Sequence, residues 1–213
     1  MKTNALKAYS KASNRMLRTA IYCSLCFLSS LHAGEWHVDR THEKNLVTFT
    51  SEILGFSFDG KTEGIDGFIY HENSDILAMG SDFFFEVNLT DLDTGIGKRD
   101  RDMREILNTN RWPKATFSGK LGEVTQDSLD HESYVSTSEG NLILHGVEKK
   151  TVVTTKIKHQ KNQMYIDAEF PLRLSEFKIQ APKLAAFIKV SENIKITVSF
   201  SMKPIVSEPG SSK

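Results

Sequence analysis

The sequence predicts an all-β protein of the barrel or sandwich type, because three observations agree. Apolar and polar residues alternate with a period of two in many short segments, turn-forming residues such as glycine separate those segments, and helical spacing is confined to two stretches. The last segment alternates most regularly, with apolar residues at Ile194, Ile196, Val198, Phe200 and Met202. Short strands with one apolar and one polar face are typical of antiparallel barrels and sandwiches.

The first 33 residues are predicted to form a signal peptide. Basic residues without any acidic residue precede Glu35, and a mostly apolar stretch at residues 19–31 is followed by the small residue Ala33. A membrane-spanning helix needs about 20 apolar residues, so this stretch is short for a span. We therefore expect cleavage after Ala33, with a retained membrane anchor as the alternative.

Cleavage would change both the charge and the cysteine content of the chain. The whole sequence has 27 basic and 27 acidic residues, and removal of the five basic residues of the leader gives a net charge of −5. Such a surface argues against nucleic acid as a partner. Both cysteines, Cys23 and Cys26, lie in the leader. The remaining chain is predicted to be one domain at residues 34–203, followed by a flexible tail at residues 204–213 that contains Pro, Gly and Ser.

The strand pattern begins soon after the leader. In the segment FFFEVNL, Phe83, Phe85, Val87 and Leu89 share one face. Similar segments cover residues 47–53, 56–58, 65–70, 141–146, 151–157 and 164–170. Residues 60–64 are predicted to form a turn because glycine stands at both ends.

Two short amphipathic helices are predicted within this β pattern. The first begins at Asp100 as its N-cap and stops at Trp112-Pro113. Its apolar side carries Met103, Ile106 and Leu107. The second covers residues 182–190, where Leu184, Phe187 and Ile188 have helical spacing. Such helices mostly bury one face, so they are expected to plug an end of the fold, and the alternative is a lid over a cavity mouth.

The sequence lacks a complete catalytic motif. Three His-Glu pairs are present, and none continues as the zinc-protease pattern HExxH. No nucleophile elbow or Walker-type GK[ST] motif is found either. His37, Asp39, His42 and Glu43 could offer metal ligands, but no second cluster completes the set. The sequence therefore predicts neither an enzyme nor a cofactor or metal site.

Several motifs resemble the signature of the YceI family. The central stretch contains Asp93-Thr94-Gly95, Lys98-Arg99-Asp100, Met103-Arg104 and Trp112-Pro113-Lys114-Ala115-Thr116-Phe117. Flanking matches are Trp36-His37-Val38-Asp39, Gly140 to Val147 and Val190 to Ile194, so the similarity extends over most of Glu35 to Phe200. The resemblance implies an antiparallel eight-stranded lipocalin-like barrel with one or two short helices, which binds polyisoprenoid-type lipids in its interior.

The lipid-carrier hypothesis that this resemblance favours gives a set of candidate ligand-binding residues. Apolar contacts to the lipid chain are expected from Phe49, Phe85, Phe117, Ile166, Ala168, Phe170, Phe177 and Ile196. Polar contacts near the head group are expected from His42, Arg99, Asp100 and Glu176. The chain departs from the family where Leu174-Ser175-Glu176-Phe177-Lys178 replaces the usual Arg-Ser-Asp-Phe-Gly, so an arginine and a glycine are missing.

The favoured function is therefore an exported, non-catalytic carrier of an isoprenoid lipid or quinone, located in the periplasm or secreted. The inward apolar residues could instead fill the barrel completely, since an eight-stranded barrel is just wide enough for its own side chains or one small ligand. A filled barrel would act as a protein-interaction or electron-transfer module, and an enzyme acting on the lipid is a further alternative. Besides the lipid, the sequence leaves open a membrane-associated protein or a second copy of the chain as a partner.

Overall fold

The computed structural model describes residues 34–42, 44–73, 75–185 and 188–205, with only the backbone described at residues 183–185 and 188–189. The predicted signal peptide and residues 206–213 of the predicted tail lie outside these residues. Within them, no helix is long and apolar enough to cross a membrane.

The described residues form a closed antiparallel β-barrel. The strands are β1 (Gly34–Val38), β2 (Leu46–Ile53), β3 (Phe56–Thr62), β4 (Ile65–His71), β5 (Asp82–Asn88), β6 (Lys114–Lys120), β7 (Val124–Gln126), β8 (Ser133–Leu144), β9 (Val147–Gln160), β10 (Gln163–Arg173), β11 (Lys183–Ala185), β12 (Ile188–Lys189) and β13 (Asn193–Pro204). The ring order is β1-β4-β5-β6-β8-β9-β10-β13, and β13 pairs with β1 to close it. This confirms the eight-stranded barrel that the resemblance implied.

Two positions in the ring are each shared by two strands. β13 pairs with β1 through Met202–Pro204 and with β2 through Lys195–Ser199, so β1 and β2 form one interrupted strand. β3 pairs with β2 and β4 with β1, which gives a second interrupted strand. Asn45 holds the first interruption, because its Nδ2 donates to the Asp39 carbonyl at 2.8 Å and its Oδ1 accepts from the Ser201 N–H at 3.0 Å.

The predicted alternation is present in the strands. Phe83, Phe85 and Val87 of β5 face the interior together, as do Ile166, Ala168 and Phe170 of β10. Between them, Asp167 and Glu169 are exposed. A period of two places alternate side chains on opposite faces of a strand, so one face of each segment fills or lines the barrel.

Helix α1 (Gly97–Leu107) confirms the first predicted helix and corrects both of its ends. It begins three residues before Asp100, and its N-cap position, Ile96, makes no side-chain capping hydrogen bond. It ends at Leu107 because Asn108 adopts a left-handed conformation with φ of 49°. The predicted stop at Trp112-Pro113 is five residues too late.

The second predicted helix is wrong. Residues 183–189 contain the short paired strands β11 and β12 instead. The two ends of the segment also pair with each other, because the Val190 N–H donates to the Pro182 carbonyl at 3.1 Å. The next residue pairs with β2, since the Ser191 N–H donates to the Glu52 carbonyl at 2.8 Å. These tertiary pairings override the local helical spacing of the apolar residues. A 3-10 turn at Leu174–Phe177 is the other short helical element in the described part of the chain.

Gly60 is a strand residue, so the predicted turn at residues 60–64 is too long. A Cβ atom on Gly60 would lie 2.2 Å from Cε1 of Phe49, the residue paired with it across β2 and β3. Glycine is therefore needed here for the approach of an aromatic ring and not for a turn. The tail boundary also moves, because β13 continues through Pro204 and the Ile205 N–H donates to the Glu35 carbonyl at 2.9 Å.

An ion-paired loop joins β7 to β8 on the outside of the barrel. Lys156 Nζ of β9 lies 3.3 Å from a carboxylate oxygen of Asp127 and 3.3 Å from one of Asp130. The Ser133 hydroxyl donates to Asp130 at 2.7 Å. The hydrogen bonds from Ser133 and Lys156 lower the pKa of Asp130 to about 2.

We predict that Asp130→Asn lowers the melting temperature at pH 7. The difference in melting temperature between the variant and the unsubstituted protein, called the gap below, should disappear at acidic pH. A folded-state pKa below the ordinary 3.8 contributes stability that is present above about pH 4 and is lost as pH falls toward about 2. Thermal unfolding at pH 7, 4 and 2 measures the gap. Ser133→Ala should reduce the same pH dependence, whereas a gap equal at pH 7 and pH 2 would contradict the assignment.

Candidate functional site: an apolar cavity in the barrel

The interior of the barrel contains an apolar cavity of about 500 Å³. Strands on all sides of the barrel contribute to its lining, including Phe49, Phe85, Phe117, Ile157, Ala168 and Ile196. Cavities of 300 to 1,000 Å³ with mostly apolar walls are typical of small-molecule sites. The barrel is therefore not filled completely by its own side chains.

One end of the barrel interior is filled by buried side chains and lies beyond the cavity. Met164 and Met202 face each other across β10 and β13, and neither has any exposed surface. Val38 and Ile76 are buried in the same apolar cluster. None of these four side chains lines the cavity. A ligand chain in the cavity would therefore end against this packed layer.

The cavity opens beside the start of α1. Ile96 and Lys98 both line the cavity and are exposed, which marks the mouth. Ile53 and Phe58 also line the cavity, close to the β2–β3 turn. Beyond that turn Phe56 exposes 79% of its surface, so the rim presents an aromatic side chain to solvent.

Helix α1 covers much of this end through its apolar side. Met103, Ile106 and Leu107 line the cavity and pack against the cluster that contains Leu89, Leu92 and Leu142. This confirms the predicted apolar face of the helix. The helix is thus part of the cavity wall, so a substitution in this face acts on both stability and cavity shape.

A hydrogen-bond network fixes the loop that leads into α1. Asp100 is buried, and its carboxylate accepts hydrogen bonds from the Thr94 N–H at 2.9 Å and the Thr94 hydroxyl at 2.5 Å. Arg99 donates from Nε to the Thr94 hydroxyl at 2.8 Å and from Nη2 to the Thr94 carbonyl at 2.7 Å. The Thr94 hydrogen bonds, assisted by the charges of Arg104 and Arg99, hold the pKa of Asp100 below its ordinary value.

This network gives Asp100 a different position from the one expected. It was predicted to cap the helix, but it lies in the first turn and ties the preceding loop to the helix. It does not line the cavity. Arg99 does line the cavity, and its guanidinium carbon lies 4.6 Å from the centre of the Phe58 ring. A cation over an aromatic face is attracted by the ring quadrupole, so Arg99 is held at the mouth.

The family model described as "YceI-like domain" matches residues 36–202. The chain belongs to the YceI family. The match covers the barrel from β1 through most of β13, which is the unit that encloses the cavity.

Two YceI proteins are similar to this chain in sequence over about three quarters of its length. The chain is 28% identical to Protein YceI of Salmonella agona strain SL483 over 169 residues, which cover 74% of this chain and 83% of that protein. It is 27% identical to Protein YceI of Shigella flexneri over 170 residues, which cover 75% of this chain and 84% of that protein.

Solved structures with the same fold include two at 14% identity. The crystal structure of BcnA from Burkholderia cenocepacia has a TM-score of 0.62 and covers 77% of this chain and 98% of that one. A polyisoprenoid binding domain from Saccharophagus degradans, implicated in plant cell wall breakdown, has a TM-score of 0.61. The match covers 80% of this chain and 98% of that one. At this identity the likeness shows the YceI fold alone.

Most residues that the YceI resemblance assigned to the ligand chain face the cavity. The cavity-lining members are Phe49, Phe85, Phe117, Ile166, Ala168, Phe170 and Ile196, and Arg99 lies among the polar residues at the mouth. Their contact with a ligand stays a prediction.

Phe177 and Glu176 do not line the cavity. Phe177 is buried in the core near α1, and its carbonyl accepts a hydrogen bond from His145 Nδ1 at 3.1 Å. Glu176 is exposed on the 3-10 turn. The alternation of a strand does not continue through a 3-10 turn, so the sequence pattern could not give the direction of these two side chains.

His42 lies outside the barrel wall and not at the mouth. Its ring contacts the Tyr165 ring edge-on, with the centres 5.7 Å apart. Tyr165 alternates with Met164 and Ile166, whose side chains point inward, so it belongs to the outer face of β10. The location expected for His42 is therefore wrong, and its role at a head group stays a prediction.

The remaining members of the suggested metal cluster have other partners. His37 Nε2 lies 2.7 Å from a Glu35 carboxylate oxygen. Asp39 accepts hydrogen bonds from the Thr41 hydroxyl at 2.7 Å and from Lys203 Nζ at 3.0 Å. Glu43 lies outside the described residues. No group of three or more metal-ligating side chains occurs in the part of the chain that the structure describes.

Two cavity residues near the mouth were missed by the sequence analysis. Ser51 lines the cavity between Phe49 and Ile53 on β2, and Phe58 lies directly opposite it on β3. The signal for Ser51 was present, because it continues the alternation of Val47 and Phe49. Because serine is polar, an alternation of apolar residues does not include it.

Proposed function

We propose that this protein is a non-catalytic binding protein that holds one long apolar lipid, of the polyisoprenoid or isoprenoid quinone type, inside the barrel. The observation that carries the proposal is the apolar cavity of about 500 Å³, open at one end and packed at the other. Each methylene moved from water into such a site contributes about 0.8 kcal/mol, so a long chain can bind tightly with few polar contacts.

The proposed chain contacts are Phe49, Phe85, Phe117, Ile166, Ala168, Phe170 and Ile196. These side chains come from β2, β5, β6, β10 and β13, so they would surround a chain on several sides. The polyisoprenoid-binding domain of Saccharophagus degradans has the same fold, and this likeness supports the choice of lipid class.

The distribution of titratable groups supports binding over bond-breaking. Among the described residues, the titratable side chains that line the cavity are Lys98, Arg99 and Asp102, all at the mouth. Lys98 Nζ and Asp102 form an ion pair at 2.6 Å, four residues apart on one helix. An enzyme acting on the lipid would need a free acid or base aimed at the substrate.

Chemical identification of the natural ligand tests this function. Protein purified without detergent is extracted with organic solvent, and the extract is analysed by mass spectrometry. We expect one predominant lipid with a long apolar chain, in a molar amount close to that of the protein. An extract without lipid, from protein that also fails to take up added isoprenoids, would favour the alternative of an interaction module.

We further propose that the protein is exported to the periplasm or secreted, and that cleavage occurs after Ala33. The basic leader with its short apolar stretch supports this, and β1 begins immediately afterwards at Gly34. N-terminal sequencing of the exported protein should therefore begin at or near Gly34. Recovery of intact Met1 from the membrane fraction would instead show a retained anchor.

A further inference from the structure

Several phenylalanine rings that line the cavity lie over a glycine of a neighbouring strand. The pairs are Phe49 with Gly60, Phe85 with Gly67, Phe83 with Gly119 and Phe117 with Gly140. A Cβ atom added to any of these glycines would lie 2.2 to 3.0 Å from a carbon of the paired ring. Each ring therefore occupies the space that a larger residue would need for its own side chain.

The glycines of these pairs lie on the inner face of the barrel. Each is two residues from a side chain that lines the cavity, namely Phe58 for Gly60, Ile65 for Gly67, Phe117 for Gly119 and Leu142 for Gly140. An eight-stranded barrel is just wide enough for its own side chains, so large inward residues can fill it. A ring that lies over a glycine stays close to the wall, and the centre of the barrel remains open.

Gly60 is the position at which cavity width can be changed without a backbone clash. At the other three glycines an added Cβ would also lie 2.2 to 2.8 Å from a carbonyl oxygen. At Gly60 the three nearest atoms belong to side chains, two to the Phe49 ring and one to the Thr94 methyl group at 3.0 Å. The backbone of Gly60 lies outside the left-handed region, so alanine can adopt it.

An alanine at position 60 should push the Phe49 ring into the cavity. The Phe58 ring flanks the Phe49 ring, with the centres 6.2 Å apart and the planes perpendicular. Thr94 lies beside the same glycine and also lines the cavity. The cavity is the open side of this cluster, so the displaced ring would take space from a ligand.

We propose that these four inward glycines determine the width of the cavity, and that this width selects a methyl-branched chain over a straight alkyl chain. An isoprenoid carries a methyl branch on every fourth carbon of its main chain and is wider than a straight chain. A straight chain in the same cavity leaves gaps in which the wall loses contacts. The inference rests on the proposed function, because it requires the ligand chain to lie in the barrel.

Gly60→Ala is the test. Two probes with main chains of equal length, a C20 isoprenoid alcohol and a straight C16 alcohol, are titrated into the purified protein. The unsubstituted protein should bind the isoprenoid more tightly. We expect Gly60→Ala to raise the Kd of the isoprenoid roughly fifteenfold, the equivalent of about two lost methylene contacts, and that of the straight alcohol about threefold or less. The melting temperature should change little, because a compatible alanine also lowers the conformational entropy of the unfolded chain.

A second substitution and a control identify the ring as the cause. Leucine at position 49 lacks the two ring carbons that lie nearest to the added Cβ. In a Phe49→Leu background, Gly60→Ala should therefore change the Kd of the isoprenoid by about twofold or less. Gly97→Ala is the matched control, because its added Cβ would meet no atom within 4 Å and Gly97 does not line the cavity. It should change the binding of neither probe.

The other outcomes separate this inference from the proposed function. An isoprenoid Kd that Gly60→Ala leaves unchanged, or raises equally with Phe49→Leu present, would overturn the role of the glycine and leave lipid binding standing. Equal affinity of the unsubstituted protein for the two probes, or equal weakening of both by Gly60→Ala, would overturn the selection of a branched chain. Failure of Gly60→Ala to fold would show that the glycine serves the fold and would also overturn the inference. Failure of the unsubstituted protein to bind either probe would overturn both the inference and the proposed function.

Discussion

Ala168→Trp should abolish retention of the ligand while the barrel remains folded. Ala168 is the small residue between Ile166 and Phe170 on the cavity face of β10. An indole at this position would project into a cavity of about 500 Å³ and take the place of part of the ligand chain. If it displaces about four methylenes, at about 0.8 kcal/mol each, affinity falls by roughly 3 kcal/mol, or about a hundredfold in Kd.

Titration with a C20 isoprenoid probe and thermal unfolding measure the two effects separately. The matched control is Glu169→Trp, because Glu169 is exposed on the outer face of the same strand. That variant should bind the probe as well as the unsubstituted protein. Full retention of the lipid by a folded Ala168→Trp variant would mean that the ligand is not in the barrel.

Ile106→Asp should destabilise the fold by about 3 kcal/mol. Ile106 lies on the apolar side of α1, lines the cavity and packs against the core cluster that contains Leu89 and Leu142. A carboxylate there would replace an apolar side chain that packs in the core, and such substitutions cost several kcal/mol. For a domain of this size the melting temperature should fall by about 6 to 12 °C.

The comparison variant is Arg101→Asp, which places the same side chain on the exposed side of the same helix. It should shift the melting temperature by no more than a few degrees, since surface substitutions usually change stability by about 0.5 kcal/mol or less. If Ile106→Asp melted within a degree or two of the unsubstituted protein, α1 would be only loosely attached. That result would favour a lid over a fixed part of the wall.

The sequence predicted the strands well because successive side chains of a strand point to opposite faces, so burial of one face appears directly as alternation in the sequence. On β13, inward Ile194, Ile196 and Val198 alternate with outward residues, and a period of two records this directly. The apolar residues of the segment at 182–190 have helical spacing, yet pairing within the segment and with the end of β2 decides its conformation. The β2 partner is distant in sequence, so local spacing could not identify it.

The candidate site shows the same division between local and tertiary information. Phe49, Phe85 and Ala168 were placed correctly in the cavity because each lies on a regular strand. His42 was placed at the mouth by the family resemblance and not by strand alternation, whereas it lies in the interruption between β1 and β2, with its ring against Tyr165. The contact of Arg99 with the Phe58 ring depends on the position of α1 beside β3, which is not visible in a single sequence.

A crystal structure of the protein with the C20 isoprenoid probe bound tests the central claim most directly. We expect one extended chain inside the barrel, between the phenylalanines of β5 and the inward residues of β10, with its polar end at the mouth beside α1. A probe bound on the outer surface would contradict the account. So would a barrel whose side chains had closed the cavity although binding is measured in solution.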